Sequence, residues 1–261
     1  MQVVDKLRNI FHLLAIILCA VAFLFLYTFI VIALVIVRIF PLGKFGDKIM
    51  AKTIYGVSAF LTRYVFAFIG GYSIEVSGRE NLVNGAIYTP NHISFIDSLF
   101  MLGVIPNSSI VMKGKYAQWF IIRILVKYYD LVSIGNGERE QMLSAFEKIS
   151  FVLNRGRNLI IFPEGTRSVN GRVGEFKGLA FKVARTHKLP IVPVAIVANA
   201  PFLRKGEGLF RTGRNVKIKI SILPSIASES VNSADTLAAY AYRAIRTECE
   251  KISSEFKKIG K

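Results

Sequence analysis

The segment Ala86-Ile87-Tyr88-Thr89-Pro90-Asn91-His92-Ile93-Ser94-Phe95-Ile96-Asp97-Ser98 passes from a strand through a turn into a helix. Ala86 to Thr89 has the character of a short buried strand. Pro90 and Asn91 supply turn chemistry, and Phe95 to Leu102 resumes with a helical pattern. The same alternation continues on either side. Candidate strands are Tyr72 to Val76, Ser109 to Met112, Leu131 to Ile134, Asn158 to Phe162, Ile191 to Val197 and Val216 to Ile222, many of them continuous and β-branched. Helical patterns occupy Tyr116 to Tyr128, Glu138 to Leu153, Gly178 to Thr186 and Ser233 to Phe256, the last opened by the capping residues Asn232 and Ser233. Strands alternating with helices predict an α/β fold, a mixed and largely parallel sheet covered by helices. Neither an internal repeat nor a low-complexity linker interrupts it.

Ahead of this domain, Ile10 to Val37 is an apolar run whose clearly polar members are His12 and Thr28. At about 1.5 Å per residue it would be about 42 Å long, against a hydrocarbon core of about 30 Å. It must therefore tilt, overlap the interface or bend back, and it is too short for two full crossings. A cleaved signal peptide fits poorly, because the apolar region is too long and is followed by Arg38, Ile39 and Phe40 instead of small residues. A buried core helix is the bland alternative. Lys6 and Arg8 precede the run, and Arg38, Lys44, Lys48 and Lys52 follow it. The heavier basic count downstream places the rest of the chain in the cytoplasm. A second apolar stretch, Ile54 to Phe68, is broken by Thr62, Arg63 and Tyr64 and reads as an interfacial helix packed on the first. Residues 1–70 are thus expected to anchor the chain, as one hydrophobic membrane helix or a helical hairpin, and residues 71–261 to form the α/β domain.

Composition agrees with this division and adds a charge argument. The 261 residues are 52% hydrophobic yet carry 34 Lys and Arg against 17 Asp and Glu, a formal net charge of +17. That apolar fraction excludes a disordered chain, and two distant cysteines, Cys19 and Cys249, exclude a disulfide-stapled module. An anionic partner is favoured, whether nucleic acid, a lipid surface or a phosphorylated substrate and its carrier.

Chemistry concentrates in a few short segments. His92 and Asp97 stand five residues apart, which would put them about 140° apart on an ideal helix. They can meet only if His92 sits in the turn before the helix or at its first residue, with Ser94 available to cap it. Asp97 could then hold the imidazole Nδ1 proton and leave Nε2 as a base toward a hydroxyl. A helix-start cap with a satisfied histidine is the alternative. Further on, Ile160-Ile161-Phe162-Pro163-Glu164-Gly165-Thr166-Arg167-Ser168 runs from an apolar strand into a glycine turn, with Phe176-Lys177-Gly178 beyond it. Arg167 is suited to a phosphate, with Thr166 and Lys177 as helpers. Taken alone, such a patch could equally be a solvated turn.

Together, Asn-His-x-Ser-x-x-Asp and, some seventy residues on, Phe-Pro-Glu-Gly-Thr-Arg-Ser resemble the motifs of glycerophospholipid acyltransferases of the lysophosphatidic acid acyltransferase type. Lys113, in Val111-Met112-Lys113-Gly114-Lys115, falls where that family carries a lysine after its second core strand, and Ile191 to Ile196 looks like its fourth block. One block departs from the pattern: Asn136 stands where the family has an arginine that helps bind glycerol phosphate, and Arg139 is out of register. The departure touches the acceptor's identity more than the reaction.

The resemblance implies that His92 takes the proton of a lysolipid hydroxyl as it attacks an acyl thioester, while Asp97 holds the imidazole. Glu164, Gly165, Thr166, Arg167, Lys113 and Lys177 would bind the acceptor or support the oxyanion. The product from lysophosphatidate would be phosphatidate, with acyl-CoA or acyl-acyl carrier protein as co-substrate, no other cofactor and no metal. Another lysolipid acceptor, including a phosphate-free lyso-aminolipid, and a non-catalytic anionic-lipid-binding membrane protein are the alternatives. No Gly-x-Ser-x-Gly elbow surrounds Ser94 or Ser98, so a serine nucleophile is not expected. Phe202 to Lys219, with six basic residues against Glu207, reads as a surface for anionic head groups or an acidic acyl donor, or as a plain solvated loop. The expected setting is the cell inner membrane with the catalytic domain facing the cytoplasm, and nucleic acid drops out as a partner.

Overall fold

The computed structural model describes residues 24–30, 43–65, 72–119, 130–135, 139–168, 171–200 and 216–259, with single positions between 14 and 36 and between 122 and 126. Seven strands form one sheet: β1 Ser73–Ser77, β2 Ile87–Pro90, β3 Ser108–Lys113, β4 Val132–Ile134, β5 Asn158–Ile160, β6 Ile191–Ala198 and β7 Lys217–Ile222. Their order is β1-β7-β6-β2-β5-β3-β4. Every pairing is parallel except β6 with β7. The expected mixed, largely parallel sheet is present, and each predicted strand forms within a residue or two of its expected place.

Alternation along the central strands explains the layers. Tyr88 and Ile160 point into one core and Ile87, Leu159 and Ile161 into the other. The first core is closed by helices α1 (Gly43–Phe60) and α2 (Asp97–Val104), through Met50, Ile54, Phe100 and Met101. The second is closed by α3 (Arg139–Asn154), α4 (Leu179–Thr186) and α5 (Ala234–Ile259), through Ile149, Val152, Phe181, Leu237 and Ala241. Strand β6 is apolar along its length and buried almost throughout, as a strand covered on both sides must be.

Helix α1 starts well before the expected Ile54, at Gly43, and ends in a π-helical turn, Leu61–Val65. The three lysines read as a flank thus fall on or beside a helix. Gly46, Met50, Ala51, Ile54, Ser58 and Leu61 form its buried face. Phe45, Lys48, Lys52, Phe60, Arg63 and Tyr64 form its exposed one. A Cβ on Gly103 of α2 would lie 2.7 Å from the Ala59 nitrogen and the Ser58 carbonyl carbon, so the two backbones cross in contact. Residues 24–30 are helical, with Tyr27 and Ile30 buried. At three- to four-residue spacing, Leu18, Val21, Phe25, Phe29, Ile32 and Ile36 remain exposed. Among the described residues, no helix is long and apolar enough to cross a membrane. The helix expected over Tyr116 to Tyr128 begins instead as a 3-10 turn, Gly114–Gln118, and most of the rest lies outside the described residues.

Candidate active site

Strand β2 stops at Pro90, and the next residue continues the sheet by other means. The Asn91 side chain donates through Nδ2 to the Ile196 carbonyl at 2.9 Å and accepts the Ile196 N–H at 2.7 Å, imitating a peptide group beside β6. His92 follows in an irregular turn, and α2 begins only at Asp97, two residues later than its sequence pattern predicts. The condition for the two side chains to meet is therefore fulfilled.

His92 Nδ1 lies 2.9 Å from Asp97 Oδ2. The same oxygen accepts the N–H groups of Ile93 and Ser94, both at 2.7 Å. Asp97 is fully buried at the first residue of α2, where the helix dipole and these donors compensate its charge. Its occupation of the two amides explains the delayed helix start. Ser94 does not cap α2: its hydroxyl reaches only the Ile96 N–H at 3.4 Å, and the residue before the helix is Ile96. With an ionised Asp97 the Nδ1 proton is held in place, so Nε2 carries the lone pair. The His92 ring packs against Phe162 with centroids 4.2 Å apart, and 17% of the side chain is accessible.

The second segment closes on the first from β5. Glu164 Oε1 accepts the His92 main-chain N–H, and Oε2 accepts that of Gly174, both at 2.9 Å. Ser168 N–H donates to the His92 carbonyl at 2.7 Å, so the His92 peptide groups are bound on both sides to one loop. Burial raises the Glu164 carboxyl above its ordinary value, and the two amides draw it back. Gly165 has φ 63°, a left-handed conformation that favours glycine, and the Lys177 side chain lies over it, 3.3 Å from where a Cβ would be. Thr166 is exposed, and the Arg167 guanidinium sits over the Phe95 ring at 5.6 Å. Lys113 is exposed at the end of β3, two strands from β2.

All of these residues follow the carboxyl ends of parallel strands, where open α/β sheets bind ligands. Arg167 belongs to the loop that binds the His92 peptide groups, and the Lys177 side chain lies beside Gly165 of that loop. Asn91, Phe162 and Ser168 stand in the two motifs but take parts that the motifs alone do not assign, and Gly174 lies outside both. A polar residue ending an apolar strand was the signal at Asn91, whereas only the fold brings Phe162 and Ser168 to His92 and Gly174 to Glu164. Asn136 and the Arg139 side chain lie outside the described residues, as do residues 201–215 of the basic stretch.

Residues 73–197 match the family described as Acyltransferase. A 1-acyl-sn-glycerol-3-phosphate acyltransferase of Limnanthes alba is 32% identical over 163 residues, 61% of this chain and 56% of that protein. The family match covers just under half of the chain. A probable 1-acyl-sn-glycerol-3-phosphate acyltransferase of Mycoplasma pneumoniae is 27% identical over 66% of this chain and 68% of its own length. The chain thus matches little more than half the length of its Limnanthes relative. The crystal structure of the 1-acyl-sn-glycerophosphate acyltransferase PlsC from Thermotoga maritima superposes on this fold with a TM-score of 0.72 at 22% identity, covering 95% of this chain and 97% of that one.

Proposed function

We propose that this acyltransferase moves a fatty acyl group from a thioester of coenzyme A or acyl carrier protein to the free hydroxyl of lysophosphatidate, giving phosphatidate. The observation that carries the reading is the His92–Asp97 contact at 2.9 Å with Nε2 left as the base. Nε2 takes the hydroxyl proton as the oxygen attacks the thioester carbonyl. Asp97 stabilises the imidazolium, and collapse of the tetrahedral intermediate expels the thiolate, which recovers the proton. No covalent acyl-enzyme is needed, because the thioester is already activated. Arg167, Thr166, Lys177 and Lys113 supply charge and donors for the acceptor's phosphate. Gly165 keeps the loop open beneath Lys177. Glu164 fits a different part from the direct substrate contact suggested by its motif: with each oxygen on a main-chain amide, it fixes the His92 turn.

Residues 1–70 act as the membrane anchor and residues 71–261 as the catalytic domain. The exposed apolar stripe from Leu18 to Ile36 and the mixed aromatic and cationic stripe of α1 support lipid contact. The basic residues after the apolar run favour the cytoplasmic face of the inner membrane. Acyl transfer to lysophosphatidate by reconstituted membranes, compared with other lysolipids and with coenzyme A and carrier-protein donors, tests the reading. His92→Ala is expected to lose about 10²- to 10⁴-fold in rate. Full activity in that variant would remove His92 as the base, and preference for a phosphate-free acceptor would overturn lysophosphatidate as the substrate.

A further inference from the structure

Beside the site mouth, three rings form a row, two of them exposed and Tyr116 half-buried. Phe95 is 47% accessible and Trp119 is 52% accessible. Their centroids are 6.1 Å apart, and Tyr116 meets Trp119 edge-on at 5.5 Å. Cations lie over both ends of the row, Arg167 over Phe95 at 5.6 Å and Lys115 over Tyr116 at 5.1 Å. Neither the His92–Asp97 chemistry nor the fold requires such large rings to face outward, and leaving them in water costs about 25 cal/mol per Å² of apolar surface.

We propose that Phe95, Tyr116 and Trp119, with Lys115 and Arg167, form a rim that lies in the head-group layer of an anionic bilayer. The inference rests on the membrane-enzyme reading above and adds where its site meets the lipid. Tryptophan and tyrosine concentrate at the bilayer interface, where an amphipathic ring suits both sides. Lysine and arginine beside them complement anionic head groups. Placement agrees with composition. Phe95 immediately precedes the turn into α2, while the far end of that helix, at Gly103, touches α1, whose exposed stripe has the same mixture of rings and cations. Helix α2, on the order of 12 Å long, links Phe95 to that crossing. A lysolipid leaving the leaflet beside this rim would reach His92 without crossing water.

Trp119 is the chain's one tryptophan, which makes its emission a direct reporter. The full chain and its His92→Ala variant are reconstituted into phosphatidylglycerol–phosphatidylcholine vesicles, with and without bromine on the lipid chains. We expect blue-shifted emission, loss of most of it in brominated vesicles, and the same result in both proteins. Lys115→Glu should reduce this quenching in vesicles containing phosphatidylglycerol and leave it unchanged in pure phosphatidylcholine. Emission that stays water-like and open to acrylamide overturns the rim, whatever the enzymatic activity. Shielding that appears only on adding lysolipid or acyl donor also overturns it and assigns the rings to a substrate tail. Quenching without any acyl transfer by the wild type would sink the proposed reaction and leave the rim standing.

Discussion

Both oxygens of Glu164 are spent on main-chain amides, and one of those amides belongs to His92. Glu164→Gln keeps the shape but offers one acceptor oxygen where two N–H groups point, so an amide hydrogen must oppose a backbone hydrogen. A stability loss of about 1–3 kcal/mol is expected, since a buried donor is left unpaired. Acyl transfer should fall as well, because the His92 turn loses its fixed position. Burial also raises the folded-state value of this carboxyl above 4.5. The folded chain then binds the proton more tightly than the unfolded one, and the group's contribution to stability declines as pH rises through that window. Thermal unfolding of wild type and Glu164→Gln in detergent across that range should show the wild-type advantage shrinking toward higher pH. A gap that widens with pH would contradict the sign.

Among the elements, the crossing of α1 and α2 makes the sharpest demand on sequence. A Cβ on Gly103 would fall 2.7–2.8 Å from backbone atoms of Ser58 and Ala59, and backbone cannot step aside as a flexible side chain can. Gly103→Ala should destabilise by about 1–3 kcal/mol through overpacking. It should also lower activity, because α2 begins with Asp97. Gly56→Ala, on the exposed side of α1 with nothing within 4 Å of the new methyl, should be neutral or gain up to about 1 kcal/mol in helix propensity. Equal losses in the two variants would deny the close crossing. The strands were legible because buried β-branched runs between turn residues have few other uses. Helix starts were less so: α2 is delayed by a carboxylate bonding backward to amides 93 and 94, and α1 runs through lysines that read as flanking charge. The His92–Asp97 pair could be read from its spacing, whereas the link from Glu164 to His92 spans 72 residues of chain and exists only once β2 and β5 are neighbours.

At the scale of the whole molecule, part of the formal charge of +17 lies on one face, where Lys48, Lys52 and Arg63 are exposed on and just beyond α1. Each such cation near an anionic surface contributes about 1 kcal/mol. Acyl transfer in reconstituted vesicles should therefore rise several-fold with phosphatidylglycerol content at low salt. Added salt should erase most of that gain, as screening shortens to about 8 Å at physiological ionic strength. The Lys48→Gln/Lys52→Gln protein should show a smaller dependence on both. A rate indifferent to lipid charge in wild type would remove this face as an electrostatic contact.

The clamp on His92 has a consequence for how such a chain can change over generations. Its N–H and carbonyl are both bonded to the loop from Phe162 to Ser168, so the base takes its position from β2, β5 and that loop. Between β3 and β5 the chain needs only to keep those two strands paired. Insertions and substitutions there, including the block containing Asn136, leave the base where it is. Under the proposed reaction, chemistry and acceptor choice are then separately heritable, and a lineage can acquire a new acceptor without rebuilding its chemistry.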